Sequence, residues 1–408
     1  MSALAERTLA RLAELAAITA EPGKMTRLAF SPEMRAANDL VARWLREAGA
    51  TSVRMDAAGN LIGRWGGPGP ALALGSHLDT VRDGGIYDGP LGVLAAIAAM
   101  EALQMAGDAL PFPVEILCFG DEEGTRFGTS LAGSLSLAGG HREGGLVLCD
   151  ADGITARQAL SDFGLDPDRI SEAAAGHRAY FGYLELHIEQ GPVLEQAGVP
   201  FGVVSGIAGA TRGRIVVTGQ AGHAGTVPMA LRQDALTGAA EIILAIERAA
   251  GPDVVATVGQ CTVRPGGTNT IPGAVELSLD LRALENDKRA AACAQIQYEI
   301  AQIAKRRVLS AALDITSQSD SSACAPQLMA SLSRATKRMM GAAPPVLPSG
   351  AGHDGAHMKM ICDYGMLFMR CRGGISHHPD EAIDTQDVAP AIAILAETLR
   401  DLAHHLTA

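Results

Sequence analysis

Residues 71–80 read ALALGSHLDT, an apolar run that leads directly into a histidine and an aspartate. A second apolar run, Val114–Phe119, is followed in the same way by the acidic residues 121–123. The intervening stretch Leu91–Met105 has the length and apolar content of a helix. With the first strand at Ala71–Gly75, this strand–helix–strand order predicts an α/β fold with a mixed, mostly parallel sheet. Because sites in such sheets form at the carboxyl ends of the strands, we expect the chemistry to lie at 77–79 and 121–123.

The pattern of elements changes at about Gly209. From there to residue 320 the predicted order is strand–helix–strand–strand–helix–strand, with the second strand at Val254–Val263. This order is typical of a small ferredoxin-like α/β sandwich. A chain of 408 residues is also longer than one hydrophobic core normally serves. We therefore predict two domains: a discontinuous catalytic domain at 1–208 and 321–408, and an inserted lid at 209–320.

Composition excludes several classes of partner. A net charge of −12 argues against a nucleic-acid or anionic membrane surface. Seven scattered cysteines without a C-x-x-C pair indicate neither a disulfide framework nor a thiolate zinc site, and they suit a reducing compartment. No uncharged apolar run approaches the ~20 residues that a membrane span needs. We expect a cytoplasmic protein without nucleic-acid or membrane partners.

Histidines and carboxylates recur in the loops that follow predicted strands. They are His77 and Asp79, Asp88, Glu122, Glu123, His187, His377 and His378. Several imidazoles with several carboxylates are the ligands that suit Zn²⁺ or Mn²⁺. One shared carboxylate would let two ions lie ~3.5–4 Å apart, as in two-metal hydrolases. Strand alternation places His77 and Asp79 on one face, so that Asp79 is positioned to orient the imidazole instead of binding metal.

Each of these residues also has an ordinary structural interpretation. A single histidine near a strand end is usually structural, Asp88 lies in a sequence typical of turns, and adjacent glutamates commonly form a solvated edge. Their joint occurrence after predicted strands favours the metal site. The sequence contains no G-x-S-x-G elbow and no G-x-x-x-x-G-K-[S/T] loop, so it indicates neither serine-hydrolase nor P-loop chemistry.

Eight short motifs are distributed along the chain: GSHLDT (75–80), YDGPLGV (87–93), DEEGTRF (121–127), LHIEQGP (186–192), GHAGT (222–226), NTIP (269–272), GHD (352–354) and GISH (374–377). Together they resemble the metal-dependent amidohydrolase branch of the M20 peptidase family. This branch contains N-carbamoyl-L-amino-acid hydrolases, allantoate amidohydrolases and β-ureidopropionases. The motif around His187 discriminates best, because aminopeptidase and deacylase relatives usually have a carboxylate there.

The resemblance implies two divalent metal ions, Zn²⁺ or Mn²⁺. One ion would be held by His77, Asp88 and His187, and Asp88 would bridge to a second ion held by Glu123 and His377. In most of the family an Asn or Ser follows the last ligand, whereas here a second histidine does. The position in the motif assigns the metal ligand to His377. The imidazole of the adjacent His378 remains the alternative ligand.

The resemblance also implies roles for residues that do not bind metal. Glu122 would be the general base, and His223 would stabilise the developing oxyanion. The substrate would be contacted by Gln190, Asn269, Arg282 and His353. Arg282 would bind the substrate carboxylate with two parallel hydrogen bonds. The inserted domain would pair two chains into a homodimer, and the subunit that His223 and Asn269 serve is left open.

The reaction that we expect is hydrolysis of the carbamoyl group of an N-carbamoyl L-amino acid, giving the amino acid, ammonia and carbon dioxide. Allantoate and N-carbamoyl-β-alanine are alternative substrates, because both carry a ureido group near a carboxylate. An aminopeptidase or deacylase on the same scaffold is a further alternative, against which His187 and Arg282 argue. The last alternative is a metal-free binding protein, which would be expected to have lost some of the metal ligands.

Overall fold

The computed structural model describes residues 1–141 and 143–407. The chain forms two compact units, the first comprising Met1–Ser205 and Cys324–Ala408 and the second Gly206–Ala323. The domain limits predicted from the sequence lie close to these boundaries.

The described residues form sixteen strands and eleven α-helices. The strands are β1 (Ser52–Met55), β2 (Leu61–Trp65), β3 (Ala71–His77), β4 (Val114–Phe119), β5 (Tyr180–Ile188), β6 (Phe201–Ile207), β7 (Gly209–Thr218), β8 (Gly222–His223), β9 (Val254–Thr257), β10 (Cys261–Arg264), β11 (Thr270–Ile271), β12 (Ala274–Ala283), β13 (Ser310–Ser319), β14 (Ser322–Ala323), β15 (Val346–Ser349) and β16 (Tyr364–Met369). The helices are α1 (Ser2–Ala16), α2 (Pro32–Glu47), α3 (Pro90–Ala106), α4 (Ala132–Leu137), α5 (Ala156–Asp162), α6 (Val193–Gln196), α7 (Ala235–Ala249), α8 (Asn286–Arg307), α9 (Pro326–Met340), α10 (Gly355–Met358) and α11 (Val388–Thr407).

The first unit is built on a sheet in the order β1-β2-β4-β3-β5-β16-β6-β14, with β15 beside β6. The four central strands, β4, β3, β5 and β16, pair in parallel. The pairs β1–β2, β2–β4, β16–β6 and β14–β6 are antiparallel. The sheet is therefore mixed, and less parallel than the sequence predicted. The three parallel pairs join strands that long crossovers connect, as chain geometry requires.

Continuous apolar runs explain the centre of this unit. Every residue of β3 and β4 is buried, as expected of parallel strands covered on both faces. Helix α3 is apolar on all sides and nearly fully buried, and it packs against α1, α11, β3 and β5. It begins at Pro90, where a missing N–H is harmless, and ends at Gly107 in the left-handed conformation.

The second unit has its own core and an antiparallel sheet in the order β10-β12-β7-β13, with β9 also beside β12. Buried and more exposed residues alternate along β7 and β12, and helices α7 and α8 pack on the sheet. The sequence predicted one strand at Val254–Val263, whereas the structure has two, β9 and β10. The short strands β8 and β11 form a separate pair.

None of the helices in 1–141 and 143–407 is both long and apolar enough to cross a membrane.

The contact of α3 with β5 requires a glycine at position 92, because a Cβ there would lie 2.2 Å from the carbonyl oxygen of Leu186. A main-chain carbonyl cannot rotate away, so we expect Gly92→Ala to lower the free energy of unfolding by roughly 2–3 kcal/mol. The control is Gly67→Ala, whose Cβ would meet nothing within 4 Å. Chemical unfolding of both variants is the measurement, and equal stability would contradict the packing argument.

Candidate functional site

The four parallel strands deliver side chains to one edge of the sheet. His77 is the last residue of β3, and His187 is the penultimate residue of β5. Glu122–Glu123 follow β4, and His377 lies in the loop after β16. Asp88 joins them from the turn that leads into α3. Because the carboxyl ends of parallel strands share an edge, residues far apart in the sequence come together here.

Asp88 is the centre of this cluster, and its two oxygens face different partners. Oδ1 lies 3.5 Å from Nε2 of His77 and 3.1 Å from Nε2 of His187. Oδ2 lies 3.4 Å from Nε2 of His377, which is also 3.4 Å from Oε2 of Glu123. The side chains thus form two groups that share Asp88, and within each group the candidate ligand atoms lie within 4.8 Å of one another.

The two buried imidazoles direct the same nitrogen at Asp88. Nδ1 of His77 lies 2.9 Å from the carbonyl oxygen of Asp79, and Nδ1 of His187 lies 2.9 Å from that of Ile188. A carbonyl oxygen only accepts, so each Nδ1 carries a hydrogen and each neutral ring presents a lone pair on Nε2. A lone pair facing a carboxylate oxygen is repelled unless a proton or a metal cation lies between them.

Burial makes the charges of the cluster unfavourable. Burial raises the pKa of Glu122 well above its ordinary value, and it raises the pKa of Glu123 to about 8. Attraction to the His77 ring opposes both shifts. Burial alone would lower the pKa of His77, but the charges of Glu122, Asp88 and Asp79 outweigh it and raise that pKa well above its usual range. Both shifts reflect acidic groups crowded into a buried space. Divalent cations would relieve the crowding, and the imidazole and carboxylate donors suit Zn²⁺ or Mn²⁺.

Asp79 fixes the loop after β4. Its Oδ1 accepts a hydrogen bond from the N–H of Glu122 and its Oδ2 accepts one from the N–H of Glu123, both at 3.1 Å. The His77 ring is oriented by the main-chain carbonyl of Asp79, since the carboxylate is 3.8 Å away. The predicted orienting contact is therefore made by the main chain, and the side chain positions the two glutamates instead.

Unusual backbone conformations surround the cluster. Asp121, Gln190 and His377 have φ values of 59°, 56° and 57°, in the left-handed region that residues other than glycine rarely adopt. Gly89 has a φ of 83°, and a Cβ there would lie 2.5 Å from the His77 ring. Strain of this kind is common where side chains must be held in place for function.

Gln190 and His353 each have one polar atom without a protein partner among the described residues. Nε2 of Gln190 donates to Oδ2 of Asp88 at 2.7 Å, whereas its buried Oε1 is unpaired. His353 is buried against His187 with ring centroids 4.4 Å apart, and its Nε2 lies 2.8 Å from Oγ of Ser349. Its Nδ1 has no partner. Both side chains are thus within the cluster or in contact with it.

His378 contacts Asp380 of its own loop and belongs to none of the candidate ligand groups among the described residues. Its Nδ1 accepts a hydrogen bond from the N–H of Asp380 at 3.1 Å, and the side chain is 56% exposed. The geometry favours the neighbouring His377 as the ligand, because Nε2 of that residue lies beside two carboxylates.

His223 and Asn269 belong to the second unit and lie on adjoining segments. His223 is exposed on β8, which pairs with β11, and the carbonyl of Asn269 accepts from the N–H of Ala224 at 2.9 Å. Nδ1 of His223 accepts a hydrogen bond from the N–H of Gly225 at 3.0 Å. A ring nitrogen that accepts carries no hydrogen, so the neutral imidazole keeps its hydrogen on Nε2, as a donor.

Arg282, on β12 of the second unit, is held by a carboxylate of its own strand. Its Nε lies 2.7 Å from Oδ1 of Asp280 and its Nη2 lies 2.9 Å from Oδ2. Asp280 also accepts from Nε of Arg212 at 3.1 Å. A substrate carboxylate would therefore share the guanidinium with Asp280 or take its place.

Two residues to which the sequence analysis assigned no role also contact Asp88. Oγ of Ser376 donates to Oδ2 of Asp88 at 2.6 Å, and Oε1 of Glu381 accepts from the N–H of Asp88 at 3.1 Å. Their closeness in sequence to His377 could have identified them as candidates. However, an acidic residue shortly after a proline is also typical of an ordinary solvated loop.

Comparisons with known proteins identify the family of this chain. The family model described as Peptidase family M20/M25/M40 matches residues 73–401. The N-carbamoyl-L-amino acid amidohydrolase of Geobacillus stearothermophilus is 43% identical over 404 residues, which cover 98% of each chain. The allantoate deiminase of Arabidopsis thaliana is 39% identical over 428 residues, covering 96% of this chain and 81% of its own.

A solved structure indicates the same family. The crystal structure of an amidase of the hydantoinase/carbamoylase family from Burkholderia multivorans superposes with a TM-score of 0.89 at 33% identity, covering 97% of both chains. The resemblance found in the sequence is confirmed. The chain therefore belongs to peptidase family M20/M25/M40 and, within it, to the amidohydrolases that cleave carbon–nitrogen bonds other than peptide bonds.

Proposed function

We propose that the protein hydrolyses the carbamoyl group of an N-carbamoyl L-amino acid, giving the amino acid, ammonia and carbon dioxide, with two divalent metal ions as cofactors. The observation that carries the proposal is the division of Asp88 between two groups of imidazole nitrogens. A relative 43% identical over nearly the whole chain bears the name of this activity, which supports the substrate class.

The two groups around Asp88 define the proposed metal ligands. His77, Asp88 and His187 would hold one ion, and Asp88, Glu123 and His377 would hold the other. Zn²⁺ or Mn²⁺ bound there would supply Lewis acidity, lowering the pKa of a water molecule and polarising the ureido carbonyl.

Glu122 is the proposed general base. Glu122 lies outside the two groups that share Asp88, and its N–H donates to the carboxylate of Asp79. Its Oε2 lies 3.9 Å from Nε2 of His77. It would accept a proton from the attacking water and return it to the leaving nitrogen. A largely buried carboxylate suits this role, because burial makes it a stronger acceptor than a solvated glutamate.

His223 is the proposed donor to the developing oxyanion. The hydrogen bond from Gly225 leaves its Nε2–H available as a donor, and one such donor is worth about 3–4 kcal/mol in comparable sites. Asn269, on the adjoining segment, and Gln190 and His353, through their unpaired atoms, are the proposed substrate contacts. Arg282 would bind the substrate carboxylate, in an orientation that Asp280 holds.

We further propose that the second unit serves as a lid and as the contact between two chains of a homodimer, as the family resemblance implies. A cytoplasmic location is part of the proposal. All seven cysteines lie in the described part of the chain and none is paired, which suits a reducing compartment.

Allantoate is the second candidate substrate, because a relative named allantoate deiminase is 39% identical over 96% of this chain. Allantoate, N-carbamoyl L-amino acids and N-carbamoyl-β-alanine all present a ureido group near a carboxylate.

We expect metal-loaded protein to release ammonia fastest from an N-carbamoyl L-amino acid, and metal-free protein to be inactive. The measurements are ammonia release from the three compounds and release of the free amino acid from an N-acyl amino acid control, whose hydrolysis gives no ammonia. Cleavage of the acyl compound alone would identify a deacylase and contradict the proposal.

The two adjacent glutamates should respond differently to an isosteric change. Glu122→Gln cannot accept a proton, so we expect the chemical step to slow by roughly 10²–10⁴ while metal content stays near that of the wild type. Glu123→Gln removes a charged ligand and should lower metal content. Elemental analysis and single-turnover kinetics on both variants make the comparison, and the opposite pattern would reverse the two assignments.

Substitution of His223 should affect turnover without affecting metal. We expect His223→Ala to lower kcat by roughly 10²–10³, because a donor to the oxyanion is lost. His223→Gln keeps an N–H group and should recover part of that loss. Steady-state kinetics with metal analysis are the measurements. A rise in KM with unchanged kcat would show that His223 contributes uniform binding instead.

A further inference from the structure

Glu381 contacts the main chain of the proposed bridging ligand. Its Oε1 accepts hydrogen bonds from the N–H of Tyr87 at 2.9 Å and from the N–H of Asp88 at 3.1 Å. Glu381 is buried, and it forms no ion pair with a lysine or arginine of the described chain. A buried carboxylate without a cationic partner is unfavourable unless hydrogen bonds compensate it. The compensation here comes from the turn that carries Asp88.

The other oxygen of Glu381 and the carboxylate of Asp88 both lie beside the hydroxyl of Ser376. Oγ of Ser376 lies 3.1 Å from Oε2 of Glu381 and 2.6 Å from Oδ2 of Asp88. The hydroxyl has one hydrogen, and the shorter distance assigns it to Asp88. Oε2 of Glu381 also only accepts, so Ser376 donates to Asp88, while Glu381 acts on the turn through the two main-chain N–H groups that it binds.

A glycine at position 85 makes this approach sterically feasible. A Cβ at Gly85 would lie 2.1 Å from the carboxyl carbon of Glu381. Any other residue there would displace the carboxylate from the two N–H groups that it binds. The turn leading to Asp88 is therefore shaped around Glu381 as well as around the His77 ring.

We propose that Glu381 and Ser376 are positioning residues for the bridging carboxylate of Asp88, because Glu381 holds its main chain and Ser376 holds its Oδ2. The inference rests on the proposed two-metal function. Because Asp88 is shared, loss of Glu381 weakens both ions. Loss of Ser376 alone affects the oxygen that faces His377, and hence mainly the ion held by that group.

Metal affinity tests this role independently of turnover. Full-length wild type, Glu381→Ala, Glu381→Gln and Ser376→Ala, freed of metal, are titrated with Zn²⁺ against a chromophoric chelator. We expect Glu381→Ala to bind roughly 10–100-fold more weakly, the usual effect of removing a residue that orients a ligand. Glu381→Gln should stay within a few-fold of wild type, because its amide oxygen still accepts from both N–H groups and its nitrogen can donate to Ser376. Ser376→Ala should weaken one ion and spare the other.

The matched control is Glu101→Ala. Glu101 is a buried glutamate of α3 that pairs with Arg7 and Arg11, so its loss should lower thermal stability without changing Zn²⁺ affinity. Unchanged affinity in folded Glu381→Ala would overturn the inference and leave the proposed function intact. So would a Glu381→Gln protein as weak as Glu381→Ala.

Two further outcomes complete the test. If Glu381→Ala does not fold, the Zn²⁺ affinity of Ser376→Ala tests the inference instead. Full affinity for both ions in that variant would overturn the inference. A wild-type protein that binds neither Zn²⁺ nor Mn²⁺ would overturn the proposed function and this inference together.

Discussion

Asp88 is the constraint on which the site depends, because one buried carboxylate lies within 3.5 Å of three imidazole nitrogens. Without cations between them these groups repel or exchange protons, so their closeness must be imposed by the surrounding fold. The surroundings do impose it. Gly89 leaves room for the His77 ring, Glu381 holds the main chain of the turn, and Ser376 holds the outer oxygen.

The parallel centre of the sheet makes this arrangement feasible. Four neighbouring strands that run in the same direction end at one edge, and residues placed at their ends converge without long loops of their own. The unfavourable burial of carboxylates and the left-handed residues at this edge must be offset elsewhere. The fully buried strands β3 and β4 and the apolar helix α3 provide a large core directly beneath the site.

Continuous apolar runs made the central elements predictable from the sequence. The strand predicted at Val114–Phe119 has those bounds in the structure, and the helix predicted at Leu91–Met105 extends by one residue at each end. The strand predicted to end at Gly75 continues to His77, because pairing with β4 persists as far as that residue. The antiparallel outer strands and the division of Val254–Val263 into two were not predictable, since they depend on partners distant in sequence.

The sequence by itself determined the family and the types of candidate ligand, because histidines and carboxylates that follow apolar strands are visible as local patterns. Only the tertiary structure decided what each atom contacts. The carboxylate of Asp79 binds an N–H group 43 positions away, and Glu381 binds one 293 positions away. The choice between His377 and His378 likewise depends on which ring meets Asp88 across the fold. A local pattern records which residue types are present, whereas distances across a sheet follow from how the whole chain packs.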